Sequence, residues 1–567
     1  MIVGIDLGTT HSLIAAWRDG AAQLVPNALG EWLTPSVVGL DDEGRIMVGR
    51  AASERLQTHP RQTAALFKRH MGSAREVQLG SRAFRAEELS AMVLRSLRED
   101  AERYFGETVE EAVISVPAYF SDAQRKATRI AGELAGLKVE RLINEPTAAA
   151  LAYGLHHREA ASSFLVFDLG GGTFDVSILE LFDGVMEVRA SAGDNFLGGE
   201  DFDTLLIQAF IAAQPHRTDL PDLSDAHLAG RLRREAERVR KLLGHEPSAT
   251  FHVHHDDQHW QLDFTQAQLA QLYAPLLGRL RAPIETALRD ARIKAGELDE
   301  ILLVGGTTRM PLVRKLVAGL FGRFPSIQLN PDESIALGAA VQAGLKSRDA
   351  ALDEIVLTDV CPYSLGIETS VNFGTSTESG HYLPIIERNC VVPVSKVKRV
   401  FTVHDQQKQV LLKIYQGESR WVSENVFLGQ MEIPVLAMPA GAISLDVRFT
   451  YDNNGLLEAE VHSLQTGEKH QLVIVNNPGV LGPEEIIERF KALAELKIHP
   501  REQQPNTLLV ARLERLYQQS RGDLRQHIDS LATRFSQVLD TQDELAIHDL
   551  RVQLTAQLEH LDGGLWE

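Results

Sequence analysis

Two aspartates and a threonine border three consecutive glycines within residues 164–178, a combination of residue types suited to binding phosphate. The stretch has the pattern of an apolar strand, a glycine turn and a second strand. Asp168 and Asp175 stand at the edges of the turn, with Thr173 between them. Glycines lack a Cβ atom, so the backbone N–H groups of such a turn can approach an anion. Because carboxylates repel phosphate, the aspartates make sense if a divalent cation bridges them through its waters. A plain hairpin with a glycine-rich turn is the alternative.

The N-terminus repeats this arrangement of strands and turn. Asp6 and the turn residues Gly8, Thr9 and Thr10 follow a first strand, and a second strand, an Asp-Gly pair and a third strand come next. Asp6 precedes Asp168 by 162 residues, which is too long a period for a solenoid. We therefore expect two homologous α/β halves that face each other, each offering a phosphate turn and an aspartate to one cleft. The turns are not P-loops, since no Gly-Lys-Ser/Thr follows and each leads into a strand.

The elements between the two repeats must position these turns. The pattern predicts amphipathic helices over 86–105 and 123–135, with an apolar strand over 112–116 between them. Glu145 immediately precedes another predicted helix and is a candidate to orient a water molecule or a metal. A carboxylate that caps this helix is the alternative. A third strand-to-glycine turn spans 301–311.

The size and charge of the chain exclude several classes of protein. A length of 567 residues predicts roughly three or four domains. The net charge of −20 argues against nucleic acid or an anionic membrane as the main partner. The sequence has no signal-peptide pattern and no uncharged apolar run of about 18 residues. Its two cysteines are far apart and form no CxxC pair, so we expect a protein of the reducing cytoplasm.

The part of the chain that follows the α/β repeats has a different character. Residues 353–358 are acidic at one end and apolar in the middle, and we expect the apolar part to be buried against another part of the protein. If this linker docks on the preceding domain in only one of its states, the two parts are coupled by a population shift. Residues 359–477 have the short strands and turn signals of a β-sandwich. Apolar residues at helical spacing return over 483–497, 506–540 and 542–561.

Four motifs resemble those of the DnaK-type heat-shock chaperone ATPases and occur in the same order: IDLGTT at 5–10, FDLGGGTFD at 167–175, VGGTTRMP at 304–311 and NPDE at 330–333. The resemblance covers essentially the whole chain. It implies a chaperone that couples slow hydrolysis of Mg-ATP to the binding and release of unfolded or extended peptides. The implied domains are an α/β actin-like, two-lobed ATPase domain over 1–352, a linker over 353–358, a β-sandwich peptide-binding domain over 359–477 and an α-helical lid over 478–567.

The resemblance also implies roles for individual residues. Lys68, Glu145, Thr173 and Asp175 are expected to serve hydrolysis, and Asp6 and Asp168 to order magnesium, with potassium in the same acidic shell. The residues expected around the nucleotide are Gly8, Thr9, Thr10, Gly170, Gly171, Gly172, Gly198, Gly199, Glu237, Arg240, Lys241, Gly305, Gly306, Arg309 and Asp332. The expected peptide groove comprises Ile367, Thr369, Phe401, His404, Val410 and Leu412. The positions expected to relay signals or to meet a J-domain co-chaperone are Pro117, Arg125, Arg141, Val356, Leu357 and Asp359.

The sequence departs from the family pattern at several positions. Gly244 stands where a serine is expected near the adenine, which predicts weaker or faster-exchanging nucleotide. The hairpin over 247–264 is several residues shorter than in DnaK, which makes dependence on a nucleotide exchange factor doubtful. Ser370 and His404 replace a methionine and an alanine, so the arch over the peptide is expected to be more polar. Together with the short lid, these departures favour the HscC-like branch of the family.

The short hairpin carries four histidines, and strand alternation puts His252 and His254 on one face. Either a metal site or, as the better-supported interpretation, a plain surface strand explains this pattern.

Two other functional classes share the actin-like ATPase fold. One is a sugar-type kinase of small molecules, and the other is an actin-like filament protein. Neither class has a use for the linker and the β-sandwich that follow residue 352.

Overall fold

The computed structural model describes residues 1–154, 162–182, 185–214, 225–255, 258–326, 330–348, 352, 356–373, 376–451, 457–473, 500–540 and 550–558. In chain order these residues form two α/β lobes, a two-sheet β-sandwich and a helical segment. The helix predicted over 483–497 lies outside the described residues, as does the first part of the linker.

The first lobe contains a six-stranded mixed sheet, a three-stranded sheet and a two-stranded hairpin. Its strands are β1 (Ile2–Asp6), β2 (His11–Arg18), β3 (Ala21–Leu24), β4 (Thr34–Pro35), β5 (Val37–Leu40), β6 (Ile46–Val48), β7 (Thr63–Ala65), β8 (Glu76–Leu79), β9 (Arg82–Arg85), β10 (Glu111–Val116) and β11 (Lys138–Asn144). Its helices are α1 (Arg50–Thr58), α2 (Ala86–Phe105), α3 (Asp122–Leu134) and α4 (Glu145–Gly154). The main sheet has the order β11-β10-β1-β2-β3, in which β1 runs parallel to β10 and antiparallel to β2.

The second lobe repeats this topology. Its strands are β12 (Ser162–Leu169), β13 (Phe174–Phe182), β14 (Val185–Asp194), β15 (Ser248–His255), β16 (Gln258–Thr265) and β17 (Glu300–Val304). Its helices are α5 (Gly199–Ala213), α6 (Ala226–Leu242), α7 (Gln266–Ala291), α8 (Pro311–Phe321) and α9 (Ser334–Lys346). The order β17-β12-β13-β14 matches β10-β1-β2-β3, with one parallel and two antiparallel pairings in each sheet. The structure therefore confirms the internal repeat predicted from the two aspartate turns.

Although α9 follows the strands of the second lobe in the chain, it packs on the sheet of the first lobe, and small residues let it do so backbone to backbone. A Cβ atom added to Gly338 on α9 would lie 1.7 Å from the carbonyl oxygen of Ala148 on α4. A Cβ atom on Gly4 of β1 would lie 2.1 Å from the amide nitrogen of Ala340 on α9. One apolar core accordingly contains residues of both lobes, among them Ile143 and Phe164. The phosphate turns at the ends of β1 and β12 are thus held by a shared core.

Two four-stranded sheets form the β-sandwich. Its strands and those that lead into it are β18 (Val356–Val360), β19 (Leu365–Phe373), β20 (Ser376–Ile386), β21 (Val391–Val392), β22 (Val394–Phe401), β23 (Gln409–Gln416), β24 (Val426–Pro434), β25 (Ser444–Tyr451), β26 (Leu457–Ser463) and β27 (Lys469–Val473). The sheets have the orders β20-β19-β23-β24 and β22-β25-β26-β27, and inward-facing apolar residues of both form one core. The structure agrees with the sandwich that the short strands and turn signals of this stretch predict.

The helical segment contains α10 (Pro500–Gln519), α11 (Gly522–Asp540) and a helical stretch over 550–558. The continuous helix predicted over 506–540 is therefore wrong. The break falls at Ser520 and Arg521, and the following Gly522 has a φ of +60°, which a glycine adopts without steric strain. The segment has its own apolar core, made by leucines and Phe535.

Candidate functional site

The two predicted phosphate turns face each other across the cleft between the lobes. A Cβ atom on Gly171 would lie 2.4 Å from Cγ2 of Thr10, and one on Gly172 would lie 3.0 Å from Cγ2 of Thr9. A Cβ atom on Gly198 would lie only 2.4 Å from the amide nitrogen of Gly172. A larger residue at Gly171 or Gly172 would push the two turns apart, and one at Gly198 would push the segment before α5 away from the glycine turn. The structure therefore brings together the two turns that contain the repeat of Asp6 and Asp168.

Hydrogen bonds from both lobes fix the shape of the turns. On the first lobe, the Ser36 hydroxyl donates to the carbonyl oxygen of Gly8 at 2.8 Å, and the Gly8 amide donates to Ser12 at 3.1 Å. On the second lobe, the Thr307 hydroxyl donates to the carbonyl oxygen of Gly170 at 2.9 Å. The Gly199 amide donates to the same carbonyl at 3.0 Å. Gly8, Gly170 and Gly199 are thus held in place before any ligand arrives.

Three buried carboxylates converge beneath the turns. Asp168 and Asp175 are cross-strand neighbours on β12 and β13, and Asp6 ends β1 and accepts a hydrogen bond from Ser115 at 2.9 Å. Burial, reinforced by the nearby Glu145, raises the pKa of Asp6 to about 7 and that of Asp175 to about 7. Burial, together with Glu145 and Asp175, raises the pKa of Asp168 well above its usual value. Clustered, desolvated acids of this kind require a cation to stay ionised at neutral pH.

The acid cluster fits a hydrated magnesium ion. The buried Oδ2 atom of Asp168 has no hydrogen-bond partner among the described residues, so it is available to a ligand. Among those same residues, no group of three or more histidine, cysteine, aspartate and glutamate side chains is arranged to hold a metal ion directly. A cation bound mainly through water, which Mg²⁺ prefers, agrees with both observations.

Lys68 forms a buried ion pair with Glu145 beside the cleft. The Lys68 Nζ atom donates to Oε1 of Glu145 at 2.8 Å, and both side chains are almost fully buried. Glu145 begins α4, as predicted, but it also anchors this lysine, which neither the capping nor the water-orienting interpretation included. The charges of Lys68 and Glu145 both act on Asp6, Asp168 and Asp175, so the five groups form one electrostatic unit.

Sequence reasoning missed Arg69, which ties the glycine turn to the neighbouring helix. Its guanidinium donates to the carbonyl oxygen of Gly172 at 3.1 Å and pairs with Asp201 at 2.6 Å. Asp201 in turn accepts from the amide of Gly198 at 2.8 Å. The basic run at 68–70 was a signal in the sequence, but nothing local indicated that its second residue faces the other lobe.

The residues predicted for the adenosine end lie on α6 and on the glycine turn after β17. Arg240 makes a bidentate pair with Asp203, at 2.6 and 3.0 Å, and Lys241 pairs with Glu237 at 2.6 Å. Gly244 follows the end of α6 and, as a glycine, has no side chain that could contact the base. Arg309 pairs with Asp332 at 2.6 Å, while Gly305 has a φ of +82° and Gly306 lies against Asp332.

The described part of the linker is a strand of the second lobe. Residues 356–358 pair in parallel with 185–187 of β14, which puts Val356 opposite Val185 and Leu357 opposite Met186. The edge of the second lobe's sheet therefore continues into the β-sandwich through β18 and β21. This is the docked arrangement that the apolar linker predicted.

A chain of polar contacts fixes the end of the linker to the first lobe. Asn144 donates to Asp359 at 2.8 Å and accepts from Arg125 at 2.6 Å. Arg125 also donates to the backbone carbonyl of Ala118, in the loop that Pro117 begins. Burial raises the pKa of Asp359, and the Arg141 and Arg125 charges oppose this rise. The predicted relay residues Pro117, Arg125, Arg141 and Asp359 thus belong to one contact region.

The comparison with known proteins agrees with this architecture. The family model described as "Hsp70 protein" matches residues 2–562. The chain belongs to the Hsp70 family. "Chaperone protein DnaK" of Thermotoga neapolitana is 42% identical over 491 residues, which cover 83% of this chain and 80% of that protein. The DnaK proteins of Thermotoga petrophila and Thermotoga maritima are each 41% identical over the same shares.

This Hsp70 is therefore an ATP-dependent molecular chaperone and an ATPase that uses ATP and ADP with Mg²⁺. The alternative of a sugar-type kinase is not supported, because the family match includes the linker and the β-sandwich as well as the lobes. None of the helices in the described ranges combines the length and apolar character needed to cross a bilayer.

The Hsp70 chain also has a contact between cleft and sandwich that the sequence did not reveal. The amide of Tyr119 donates to Oδ1 of Asp175 at 3.1 Å, and the hydroxyl of Tyr363 donates to the carbonyl oxygen of Tyr119 at 2.6 Å. The two tyrosine rings are 4.4 Å apart. Because these residues are 244 positions apart, no local pattern could have paired them.

The predicted peptide-groove residues of this Hsp70 differ in exposure. Phe401 is 57% exposed, and His404 is exposed beside it in the chain. Thr369 and Val410 are half-buried. Ile367 and Leu412 belong to the buried core between the two sheets. The surface open to a ligand in this docked state therefore includes only some of the six predicted positions.

Proposed function

We propose that this Hsp70 is a peptide clamp whose sandwich is controlled by the nucleotide in the cleft. The observation that carries this proposal is the path of two hydrogen bonds from Asp175 through Tyr119 to Tyr363, which links an acid of the cleft to the sandwich. Pairing of the linker with β14 supports the same coupling, because release of the sandwich must also break that pairing. The docked and released states of the chaperone then differ in these contacts, so both nucleotide and peptide can shift the equilibrium between the two states.

In hydrolysis, we assign the holding of the attacking water and the γ-phosphate to Lys68, whose ammonium Glu145 keeps in place. Thr173 polarises the nucleophile, and Asp175 orients the water from the opposite wall. Asp6 and Asp168 would order bound Mg²⁺, with K⁺ in the same acidic shell, and the cations would supply neutralisation of the phosphate charge. The turn amides at Gly8, Thr9, Thr10 and 170–172 surround the phosphates. Phosphoryl transfer then depends mainly on positioning and charge neutralisation.

At the adenosine end, Glu237, Lys241, Gly305, Gly306 and Arg309 line the base and the ribose. We assign Arg240 a positioning role, because Asp203 already engages its guanidinium at both ends. Gly198, Gly199 and Asp332 complete the nucleotide site. The absence of a side chain at Gly244 supports weaker or faster-exchanging nucleotide than in relatives with a serine there.

The proposed domains are the ATPase domain over 1–352, the linker over 353–358, the peptide-binding sandwich over 359–477 and the lid over 478–567. Extended peptide binds along the sandwich groove by main-chain hydrogen bonds and one apolar pocket, with Phe401 and Val410 beside the more polar His404. A J-domain co-chaperone meets the contact region around Pro117, Arg125 and Arg141. The short β15–β16 hairpin supports little dependence on a nucleotide exchange factor, as in the HscC-like branch.

We assign the chaperone to the cytoplasm. Cys361 and Cys390 both carry free thiols, which suits a reducing compartment.

A single-turnover assay with an extended peptide tests the proposal. The full chain should hydrolyse bound ATP slowly, and peptide should accelerate the step. Lys68→Ala should retain ATP but lower the hydrolysis rate by about 100-fold or more, because the variant removes the cation that faces the developing charge. Lys138→Ala is the matched control, since that lysine is 71% exposed and pairs with Glu111 far from the cleft. Peptide-independent hydrolysis, or rapid phosphate transfer to a sugar, would contradict the clamp.

A further inference from the structure

Two histidines face each other across the short hairpin of the second lobe. His254 on β15 and His259 on β16 are directly opposite in the antiparallel register. Their rings are 4.1 Å apart, and their Nδ1 atoms are 3.3 Å apart. The proposed chaperone cycle uses neither residue, and both lie at the exposed end of the hairpin.

The ring of His259 is oriented by its neighbour on the same strand. Its Nε2 atom lies 3.4 Å from the amide oxygen Oε1 of Gln261. An amide oxygen only accepts hydrogen bonds, so Nε2 of His259 donates in this contact. Nδ1 of the neutral His259 ring is then the acceptor of the 3.3 Å hydrogen bond from Nδ1–H of His254, and a metal ion between the two nitrogens would displace that proton. An oxygen acceptor on the far nitrogen is the usual arrangement around a metal-binding histidine.

The main chain at His254 is attached to the neighbouring helix. The guanidinium of Arg231, on α6, donates to the carbonyl oxygen of His254 at 2.5 Å. This contact holds β15, and with it the backbone of His254, in place opposite β16.

We propose that His254 and His259 form a two-histidine site for a divalent transition metal such as Zn²⁺. Two nitrogens bound at 2.0–2.1 Å to a tetrahedral ion lie about 3.3 Å apart, so the observed separation already suits the ion. Imidazole ligands select Zn²⁺, Cu²⁺ or Ni²⁺ over Mg²⁺, which prefers oxygen. Among the described residues, no third ligand of the histidine, cysteine or carboxylate type is in reach of the pair.

The site would join β15 and β16 at the end that is remote from α7. β15 is attached to α6 through Arg231 and through Glu235, which accepts from the amide of His252 at 2.9 Å. Since α6 also carries Glu237 and Lys241 of the proposed nucleotide site, the metal would stiffen the hairpin that supports the adenosine end. This site is separate from the magnesium site, which lies beneath the phosphate turns.

Calorimetric titration of the full, nucleotide-free chain with Zn²⁺ tests the proposal. His254→Gln and His259→Gln should each weaken the binding at least tenfold, because loss of even an outer-shell partner costs about 10- to 100-fold. Gln261→Ala removes such a partner and should weaken binding about tenfold while both ligands remain. His252→Gln is the control on the same hairpin, since that imidazole faces Glu235 at 3.9 Å, and His527→Gln is the control on an exposed helix.

The ¹³Cε1 resonances of the histidines provide an independent readout. Zn²⁺ should shift the resonances of His254 and His259. The first should be absent from the spectrum of His254→Gln and the second from that of His259→Gln. Unchanged Zn²⁺ affinity in His254→Gln or His259→Gln would overturn the site. So would an equal loss in His252→Gln or His527→Gln, because the chain would then bind zinc through unspecific surface histidines.

Discussion

At the scale of single residues, the cleft combines groups that are costly to bury alone. Asp6, Asp168 and Asp175 are desolvated beside one another, and Lys68 is the nearby buried cation that lowers the pKa of each. The glycines have the opposite role, since they contribute space rather than charge. The shape of the cleft thus depends on glycines, which have no side chain, as much as on the charged groups.

Gly198→Ala tests whether close packing of the segment before α5 against the glycine turn at 170–172 sets nucleotide affinity. The added Cβ would lie 2.4 Å from the Gly172 amide nitrogen and 2.6 Å from the Gly171 carbonyl oxygen, so the phosphate turn must shift. We expect ADP affinity, measured by calorimetry, to fall at least tenfold, which corresponds to about 1.4 kcal/mol.

Gly278→Ala is the matched control for this substitution. Gly278 is inside α7, and its added Cβ would meet nothing within 4 Å. Alanine should leave ADP affinity unchanged and raise stability by roughly 0.5–1 kcal/mol, because glycine is the poorer helix former. Equal ADP affinities in the two variants would refute the role given to Gly198.

At the scale of elements, the sequence predicted what local patterns encode. The strands that flank Asp6 and Asp168 were identifiable because glycine turns interrupt apolar runs, and α2 was found over the predicted 86–105. Contacts between elements were not predictable. Arg69 meets Gly172 across 103 positions, and the break between α10 and α11 depends on one glycine conformation rather than on periodicity.

The pair Asp290–Arg388 joins the last turn of α7 to the sandwich. Arg388 donates to both carboxylate oxygens, at 2.8 and 3.0 Å, and Asn389 donates to the same carboxylate at 2.9 Å. We expect Asp290→Ala and Arg388→Ala each to speed hydrogen exchange of the linker amides at 356–358 about tenfold, since a charged hydrogen bond contributes about 1.5–3 kcal/mol. The double variant should show less than the sum of the two effects.

The control for this pair is Asp446→Ala. Arg399 and Asp446 have the same bidentate geometry, at 2.6 and 3.0 Å, but both belong to the sandwich. Their loss should leave exchange of the linker unchanged. If Asp446→Ala accelerated the linker as much as Asp290→Ala, general loss of stability would explain the effect and the docking role would be wrong.

At the scale of the whole molecule, the helical segment returns to the first lobe. α10 packs against α1, where Glu54 pairs with Arg515 at 3.0 Å and Arg55 pairs with Glu514 at 3.4 Å. The contact consists largely of ion pairs, in contrast to the apolar core that joins the two lobes. Polar interfaces between domains of one chain are typically reversible. The structure therefore represents a state in which the described part of the linker, the sandwich and the helical segment are all docked on the ATPase lobes.

A disulfide between α1 and α10 would report this docked state. Nε2 of Gln519 lies 3.4 Å from Oε1 of Gln57, so cysteines at these two positions would be close enough to form a disulfide. The test combines Gln57→Cys and Gln519→Cys with Cys361→Ser and Cys390→Ser, which remove the native thiols. This variant should cross-link readily when ATP is bound. We propose that the clamp closes when the helical segment moves from α1 onto the sandwich, so addition of ADP and an extended peptide should slow the cross-link at least tenfold. Gel mobility after a timed oxidant pulse measures the rate.

Asn506→Cys with Arg551→Cys is the control, because these residues are in contact within the helical segment and should cross-link equally in both states. Equal rates for the α1–α10 pair in ATP and in ADP with peptide would mean that the lid stays on the first lobe throughout the cycle, and the clamp would then have to close without it.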